Sequence, residues 1–179
     1  RRLGELLANH QFAVITGGGP GLMEAANRGA KEAGGISIGC NIQLPREQEP
    51  NLHQTKSLTF RYFFVRKVML VKYAFAFFIL PGGLGTIDEM TEAMTLIQTG
   101  RVYDFPVILI GHDYWQGFMD WIYNSAVKEG AISHQDLLNV HLVETPEEAI
   151  EILTKLSRSL DLQNRINEIK NGKTKFPRA

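Results

Sequence analysis

The chain has 179 residues, of which 44% are hydrophobic and 21% charged, a composition typical of one globular domain and unlike a disordered or collagen-like chain. Its 19 Lys and Arg residues balance 19 Asp and Glu residues, and a net charge of zero argues against nucleic-acid or membrane binding through bulk charge. The single cysteine, Cys40, cannot form an internal disulfide, and no apolar run approaches the ~18 residues of a membrane span. We therefore expect a cytoplasmic protein.

Predicted helices and strands alternate along the chain. The predicted helices cover residues 3–10, 22–33, 61–72, 86–98, 112–128, 146–156 and 161–169. The predicted strands cover residues 12–16, 36–42, 56–60, 74–80, 105–110 and 140–143, and residues 170–179 are expected to form a frayed tail. Apolar strands that alternate with helices are typical of a parallel sheet covered on both faces. The sequence therefore predicts a doubly wound parallel α/β fold, as a single domain over residues 1–179.

Two glycine-rich loops each follow a predicted strand and precede a predicted helix. They read Gly17-Gly18-Gly19-Pro20-Gly21 and Pro81-Gly82-Gly83-Leu84-Gly85. A helix N-terminus attracts phosphate, and glycines allow the backbone to approach the anion closely. Leu22 stands where a dinucleotide fingerprint needs its third glycine, and neither loop continues into the Gly-Lys-Ser/Thr of a P-loop. Each loop alone could be a tight turn, but two in one small sheet favour a phosphate held by two helix ends.

Charged and polar residues near these loops allow two interpretations each. Thr86 could cap its helix, contact phosphate, or do both. Glu89 lies three residues later, which is the spacing of a capping box as well as a suitable place for a functional carboxylate. Arg66 and Lys67 could lie on a solvated face or be held against the surrounding apolar side chains. The histidines show no metal-ligand spacing, so we expect no metal site.

The residues around the second loop carry a resemblance to a known family. Residues 81–89 match the motif Pro-Gly-Gly-x-Gly-Thr-x-x-Glu, with Arg66-Lys67 upstream and Gly17-Gly18-Gly19-x-Gly-x-Met earlier still. This pattern resembles the Lonely guy family of nucleoside-monophosphate phosphoribohydrolases, which are often mislabelled as lysine decarboxylases. The resemblance implies a Rossmann-like fold, a homodimer or larger assembly, and no cofactor. It also implies cleavage of the N-glycosidic bond of a purine nucleoside 5′-monophosphate, such as a cytokinin riboside monophosphate or AMP.

The resemblance also implies a role for individual residues. Arg66 and Glu89 match the family's catalytic residues. The implied substrate contacts are Gly18, Gly19, Gly21, Glu47, Lys67, Gly82, Gly83, Gly85, Thr86, Asp88 and Thr95.

The chain also departs from the family pattern in two places. Members usually begin with one more strand, so we expect the N-terminus to be trimmed, and residues 60–64 differ from the plant members, where a Met-His pair is usual. The alternative function is a nucleotide- or molybdenum-cofactor-binding carrier of the same fold. Such a carrier would keep the phosphate loops without needing Arg66 and Glu89 as a pair.

Overall fold

The computed structural model describes residues 1–44, 49–102 and 105–157, and the chain divides into two compact units, Arg1–Ala74 and Phe75–Ala179. Each unit has a three-stranded parallel sheet whose strands follow chain order. Such an order is found in each half of a doubly wound sheet. The predicted parallel α/β class is confirmed, whereas a single domain over the whole chain stays a prediction. The predicted helix at 161–169, the tail at 170–179 and Glu47 lie outside the described residues.

The first unit alternates three helices with three strands. Its elements are α1 (Arg2–Asn9), β1 (Val14–Thr16), α2 (Leu22–Glu32), β2 (Ser37–Ile42), β3 (Lys56–Phe60) and α3 (Phe63–Lys72). The central strand β2 pairs with β1 and with β3. Helices α1 and α2 pack closely because Gly4 and Gly29 have no side chain. A Cβ on Gly4 would overlap the Ala26 carbonyl oxygen, and one on Gly29 would overlap the Arg1 carbonyl oxygen. This packing buries Leu3 and Leu7, and each such side chain removed from water stabilises the fold by ~1.5–3 kcal/mol.

The second unit is built around a fully buried strand. Its elements are β4 (Phe77–Ile79), α4 (Leu84–Gln98), β5 (Val107–Ile110), α5 (His112–Trp121), a π-helix (Ile122–Val127), a 3-10 helix (His134–Leu137), β6 (Val140–Val143) and α6 (Pro146–Ser157). Val107, Ile108 and Leu109 of β5 have no exposed surface. Both neighbouring strands pair with β5, so the most apolar strand is the one buried at the centre of its sheet.

The six strands found among the described residues all lie inside the predicted ranges, and the differences concern the helices. The predicted helix at 112–128 is an α-helix only to Trp121 and continues as a π-helix to Val127. The 3-10 helix, which begins with a capping box between Ser133 and Asp136, was not predicted. Helix α4 begins at Leu84, two residues before the predicted start at Thr86. That last shift changes the interpretation of Glu89.

Candidate functional site

The first glycine loop joins β1 to α2 and is fixed by hydrogen bonds to its carbonyl groups. The Gly18 carbonyl accepts from the Asn51 backbone N–H at 2.9 Å, from Asn51 Nδ2 at 3.0 Å and from Gln54 Nε2 at 3.0 Å. Asn51 Nδ2 also donates to the Gly19 carbonyl at 3.1 Å. Gly18 has a φ of +77°, and a Cβ there would overlap Asn41 Oδ1. Glycine is therefore required at position 18 by backbone conformation and by packing.

A buried network of amide side chains, not predicted from the sequence, lies behind this loop. Asn27 is fully buried, and its Oδ1 accepts from Thr16 Oγ1 at 2.6 Å and from Asn51 Nδ2 at 3.0 Å. Its Nδ2 donates to Ser37 Oγ at 2.8 Å and to the Ile38 carbonyl at 3.3 Å. All four hydrogen-bonding positions of this amide are satisfied, as a buried amide requires.

A second amide pair joins the loop to the strands. Asn41 of β2 and Gln54 exchange hydrogen bonds, at 3.1 Å from Asn41 Nδ2 and 3.2 Å from Gln54 Nε2, and Asn41 also donates to Ser57 Oγ at 2.9 Å. The signal that could have revealed both networks is an asparagine at an otherwise apolar strand or helix face, as at Asn41 and Asn27.

Helix α3 places Arg66 beside the first glycine loop. A Cβ on Gly17 would lie 3.5 Å from Arg66 Nη1, and the Arg66 guanidinium carbon lies 5.2 Å from the centre of the Phe63 ring. This is a cation–π distance, so of the two placements considered for Arg66 the structure shows contact with an aromatic side chain. Lys67 follows on the same helix and is half-buried. Burial raises the pKa of the Cys40 thiol, and the positive charge of Arg66 partly opposes that rise.

The second glycine loop joins β4 to α4, and Gly83 is the N-cap residue of α4. Thr86 is therefore the third residue of the helix, and its amide donates to the Gly83 carbonyl at 3.0 Å. The suggested Thr86 cap and the capping box with Glu89 are both wrong, because this N-cap has no side-chain hydrogen bond and Glu89 lies a turn deeper in the helix. The Thr86 side chain packs instead on Gly82, where a Cβ would overlap its hydroxyl.

The start of α4 is open. A Cβ built on Gly83 or Gly85 would meet no heavy atom within 4 Å, and neither residue has a left-handed φ. The amides of Gly83, Leu84 and Gly85 donate to no acceptor among the described residues. Among the described residues, therefore, neither a close contact nor a left-handed φ accounts for glycine at positions 83 and 85. Unpaired amides at a helix N-terminus are suited to an anion.

The remaining expected site residues of this unit lie along α4. Glu89 is half-buried and Asp88 is exposed. The Thr95 hydroxyl donates to the Thr91 carbonyl at 2.8 Å, which leaves its oxygen able to accept a further hydrogen bond. Thr91 and Thr99 make the same bond to the carbonyl four residues earlier, at 2.8 Å each.

The expected residues thus fall into two sets, one in each unit. Residues 18, 19, 21, 66 and 67 belong to the first unit, and residues 82, 83, 85, 86, 88, 89 and 95 belong to the second. Within residues 1–44, 49–102 and 105–157, no cluster of three His, Cys, Asp or Glu side chains could hold a metal ion. No helix in the same part of the chain is both long and apolar enough to span a membrane.

Comparison with known proteins identifies curated relatives. The chain is 31% identical over 159 residues to cytokinin riboside 5′-monophosphate phosphoribohydrolase LOG1 of Arabidopsis thaliana, which covers 86% of this chain and 71% of the relative. It is also 32% identical over 157 residues to a rice (Oryza sativa subsp. japonica) protein named "Probable cytokinin riboside 5′-monophosphate phosphoribohydrolase LOGL2". That alignment covers 86% of this chain and 63% of the relative. The chain therefore spans less than two thirds of the length of some relatives that it matches.

Solved structures show the same fold. The X-ray structure of the protein TM1055 matches with a TM-score of 0.64 and 26% identity over 86% of this chain and 84% of that one. The molybdenum cofactor binding protein of Rippkaea orientalis matches with a TM-score of 0.63 and 25% identity over 87% of this chain and 83% of that one. These likenesses confirm the Rossmann-like fold.

A family model described as "Possible lysine decarboxylase" matches residues 23–153, a range that includes most of the first loop's helix, Arg66, the whole second loop and Glu89. Together with relatives that are about 30% identical over most of the chain, this match settles the family. The chain belongs to the Lonely guy family.

Proposed function

We propose that this protein hydrolyses the N-glycosidic bond of purine nucleoside 5′-monophosphates, releasing the free base and ribose 5-phosphate. The observation that carries the proposal is the open start of α4, where Gly83 and Gly85 expose amides that the described chain does not use. Relatives named phosphoribohydrolases act on nucleoside monophosphates, which bring a phosphate suited to such amides. The first glycine loop would contact the same class of substrate through Gly18, Gly19 and Gly21.

Bond cleavage develops positive charge on the ribose, as in glycoside hydrolysis. A water molecule attacks the anomeric carbon, the bond from that carbon to the base nitrogen breaks, and the base leaves with the bonding electrons and gains a proton. Glu89 stabilises the positive charge and orients the water. Arg66 binds substrate oxygens through its planar guanidinium. Phosphate binding, away from the bond that breaks, positions the sugar for attack.

The position of Glu89 supports this role. Because α4 begins at Leu84, Glu89 does not form a capping box at the start of this helix. The resemblance assigns further substrate contacts to Glu47, Lys67, Thr86, Asp88 and Thr95. Each is part of the proposal.

The test is base release from AMP and from isopentenyladenosine monophosphate, measured by chromatography at saturating substrate. Glu89→Gln removes the charge and keeps the shape, so we expect turnover to fall ~10²–10³-fold with AMP binding retained. Glu151→Gln is the matched control, since Glu151 is an exposed carboxylate of α6 in the same unit. Equal turnover of Glu89→Gln and an active wild type would show that Glu89 is not catalytic.

A second function is favoured by one observation, the likeness to a molybdenum cofactor binding protein at 25% identity. A carrier would use the same glycine loops to hold a phosphate-bearing cofactor without breaking a bond. Wild-type protein that binds AMP or a pterin phosphate but releases no base would favour the carrier.

We also propose a homodimer and a cytoplasmic location. Helix α3 and the residue before it present exposed aromatic and apolar side chains: Tyr62 is 53% exposed, Phe63 52%, Phe64 67% and Val68 51%. Exposed apolar patches of this kind mark protein–protein contacts. Sedimentation at micromolar concentration tests the assembly.

A further inference from the structure

The carbonyl group of Gly82, in the second glycine loop, is held by a side chain of α5. The Tyr114 hydroxyl donates a hydrogen bond to this oxygen at 2.6 Å. Tyr114 is 51% exposed, and its ring packs edge-on against Trp115, with ring centres 4.9 Å apart. Tyr114 is 32 residues from Gly82 along the chain, so no local motif in the sequence points to this contact.

The start of α5 is itself anchored beside the loop. Glu144 Oε2 accepts a hydrogen bond from the His112 backbone N–H at 2.9 Å. Gly111, with a φ of +105°, lies against Pro81, whose Cγ would be 3.8 Å from a Cβ on that glycine. Tyr114 therefore acts from a fixed position on the side of the loop that faces α5.

The bond to the Gly82 oxygen sets the direction of the next amide. No cis peptide bond occurs among the described residues. In a planar trans peptide the carbonyl and the N–H point in opposite directions. Holding the Gly82 oxygen toward Tyr114 therefore directs the Gly83 N–H away from Tyr114. That N–H belongs to the N-cap residue of α4 and has no acceptor among the described residues.

The first unit shows the same arrangement at its own loop. Asn51 and Gln54 hold the Gly18 carbonyl, and the next amide, that of Gly19, donates to no acceptor in the described part of the chain. In both loops side chains hold the carbonyl side, which leaves the amide side for a ligand. Because the same arrangement occurs in both loops, we interpret the Tyr114 hydrogen bond as part of what holds the second loop in place.

We infer that Tyr114 is a positioning residue, which orients the Gly83 amide for the 5′-phosphate of a nucleotide. The inference rests on the proposed function, in which this loop binds phosphate. Tyr114 touches the loop and acts on the ligand only through it.

The test compares Tyr114→Phe with Tyr123→Phe in the full chain. Tyr114→Phe removes only the hydroxyl from an exposed side chain, so the melting temperature should stay within a few degrees. Tyr123 is a matched control, 42% exposed and stacked on His134 with ring centres 5.9 Å apart. By calorimetry, Tyr114→Phe should weaken AMP binding up to about 10-fold and leave adenosine binding unchanged. With active enzyme the KM for AMP should rise without a fall in kcat, as expected when uniform binding is lost.

Amide hydrogen exchange supplies a readout that needs no ligand. The amides of Thr86 and Ile87 both donate to the Gly83 carbonyl, at 3.0 and 3.1 Å. They should exchange faster in Tyr114→Phe, where the loop before them is less restrained, and at the wild-type rate in Tyr123→Phe. If wild type prefers AMP to adenosine and Tyr114→Phe keeps that preference undiminished, the inference is overturned whatever the exchange rates, while the proposed function stands. If wild type binds AMP and adenosine equally, the proposed function falls, and the role of Tyr114 falls with it.

Discussion

Replacing Gly85 with alanine separates folding from phosphate binding. Gly85 is the second residue of α4 and has no left-handed φ. A Cβ there would meet no heavy atom within 4 Å outside its chain neighbours and the backbone of its own helix. Alanine is favoured over glycine in a helix by ~0.5–1 kcal/mol, of which a residue in the first turn gains only part. For a chain of this size, a gain below ~1 kcal/mol raises the melting temperature by at most about 4 °C. Gly85→Ala should therefore fold at least as stably as wild type.

AMP binding, in contrast, should be weaker in Gly85→Ala than in wild type. The new methyl group stands beside the free amides of α4, where the proposed phosphate would lie. A hydrogen bond to a charged group contributes ~1.5–3 kcal/mol, so loss of one such contact weakens AMP binding by about 10- to 150-fold. Adenosine, which lacks the phosphate, should bind Gly85→Ala as it binds wild type.

The assay is calorimetric titration with AMP and adenosine, alongside thermal unfolding. Gly117→Ala is the control, because Gly117 of α5 also has no heavy atom within 4 Å of a built Cβ. The control should match wild type in AMP affinity. Undiminished AMP affinity in Gly85→Ala would refute the reasoning, since a phosphate bound at these amides would meet the methyl group.

Three further predictions concern stability, pH and assembly. Gly18→Ala should destabilise the fold by more than about 2 kcal/mol in urea unfolding, since it combines a left-handed φ with overlap on Asn41; an unchanged unfolding midpoint would contradict this. Burial lowers the pKa of His141 below 6.5, so the fold favours the neutral ring, and stability should be full above pH 6.5 and fall as the pH drops toward the lowered pKa. His141→Gln should flatten that fall, and an equal pH dependence in both proteins would exclude His141 as its source. Phe64→Glu should convert the proposed dimer to a monomer in sedimentation, and a monomeric wild type would remove the basis of that prediction.

Much of the fold could be predicted because its strongest signals are local. The apolar runs that form β4 and β5 are short. A glycine-rich loop follows soon after β4, and Gly111 and a helical pattern follow β5. The start of α4 was misplaced because threonine is a favoured N-cap residue, so Thr86 predicted a cap by local preference alone. The Thr86 side chain contacts Gly82, four residues earlier, which fits a helix that begins before Thr86. The N-cap preference of threonine does not reveal this contact.

The candidate site could be predicted only where its residues form a contiguous motif. Gly83, Gly85 and Glu89 stand within seven residues, so their spacing carries information. Asn51 and Asn27 are 24 residues apart, and Tyr114 is 32 residues from the carbonyl that it holds. Asn27 stands on an otherwise apolar helix face, which signals a buried amide but not the partner that it binds. Asparagine in a loop is usually exposed, so Asn51 gives no sign that it supports a backbone loop.

The amide network of the first unit also bears on the thermodynamics and rate of ligand capture. Gly18 is tied to residues 51 and 54, and through Asn41 to β2 and β3, so the loop can open only if several hydrogen bonds break together. Segments restrained in this way share the local unfolding free energy of the sheet that holds them. A nucleotide that binds there meets a rigid receptor and pays little conformational entropy to order it. Association at this loop should then be limited by diffusion and orientation, with no slow step of loop closure.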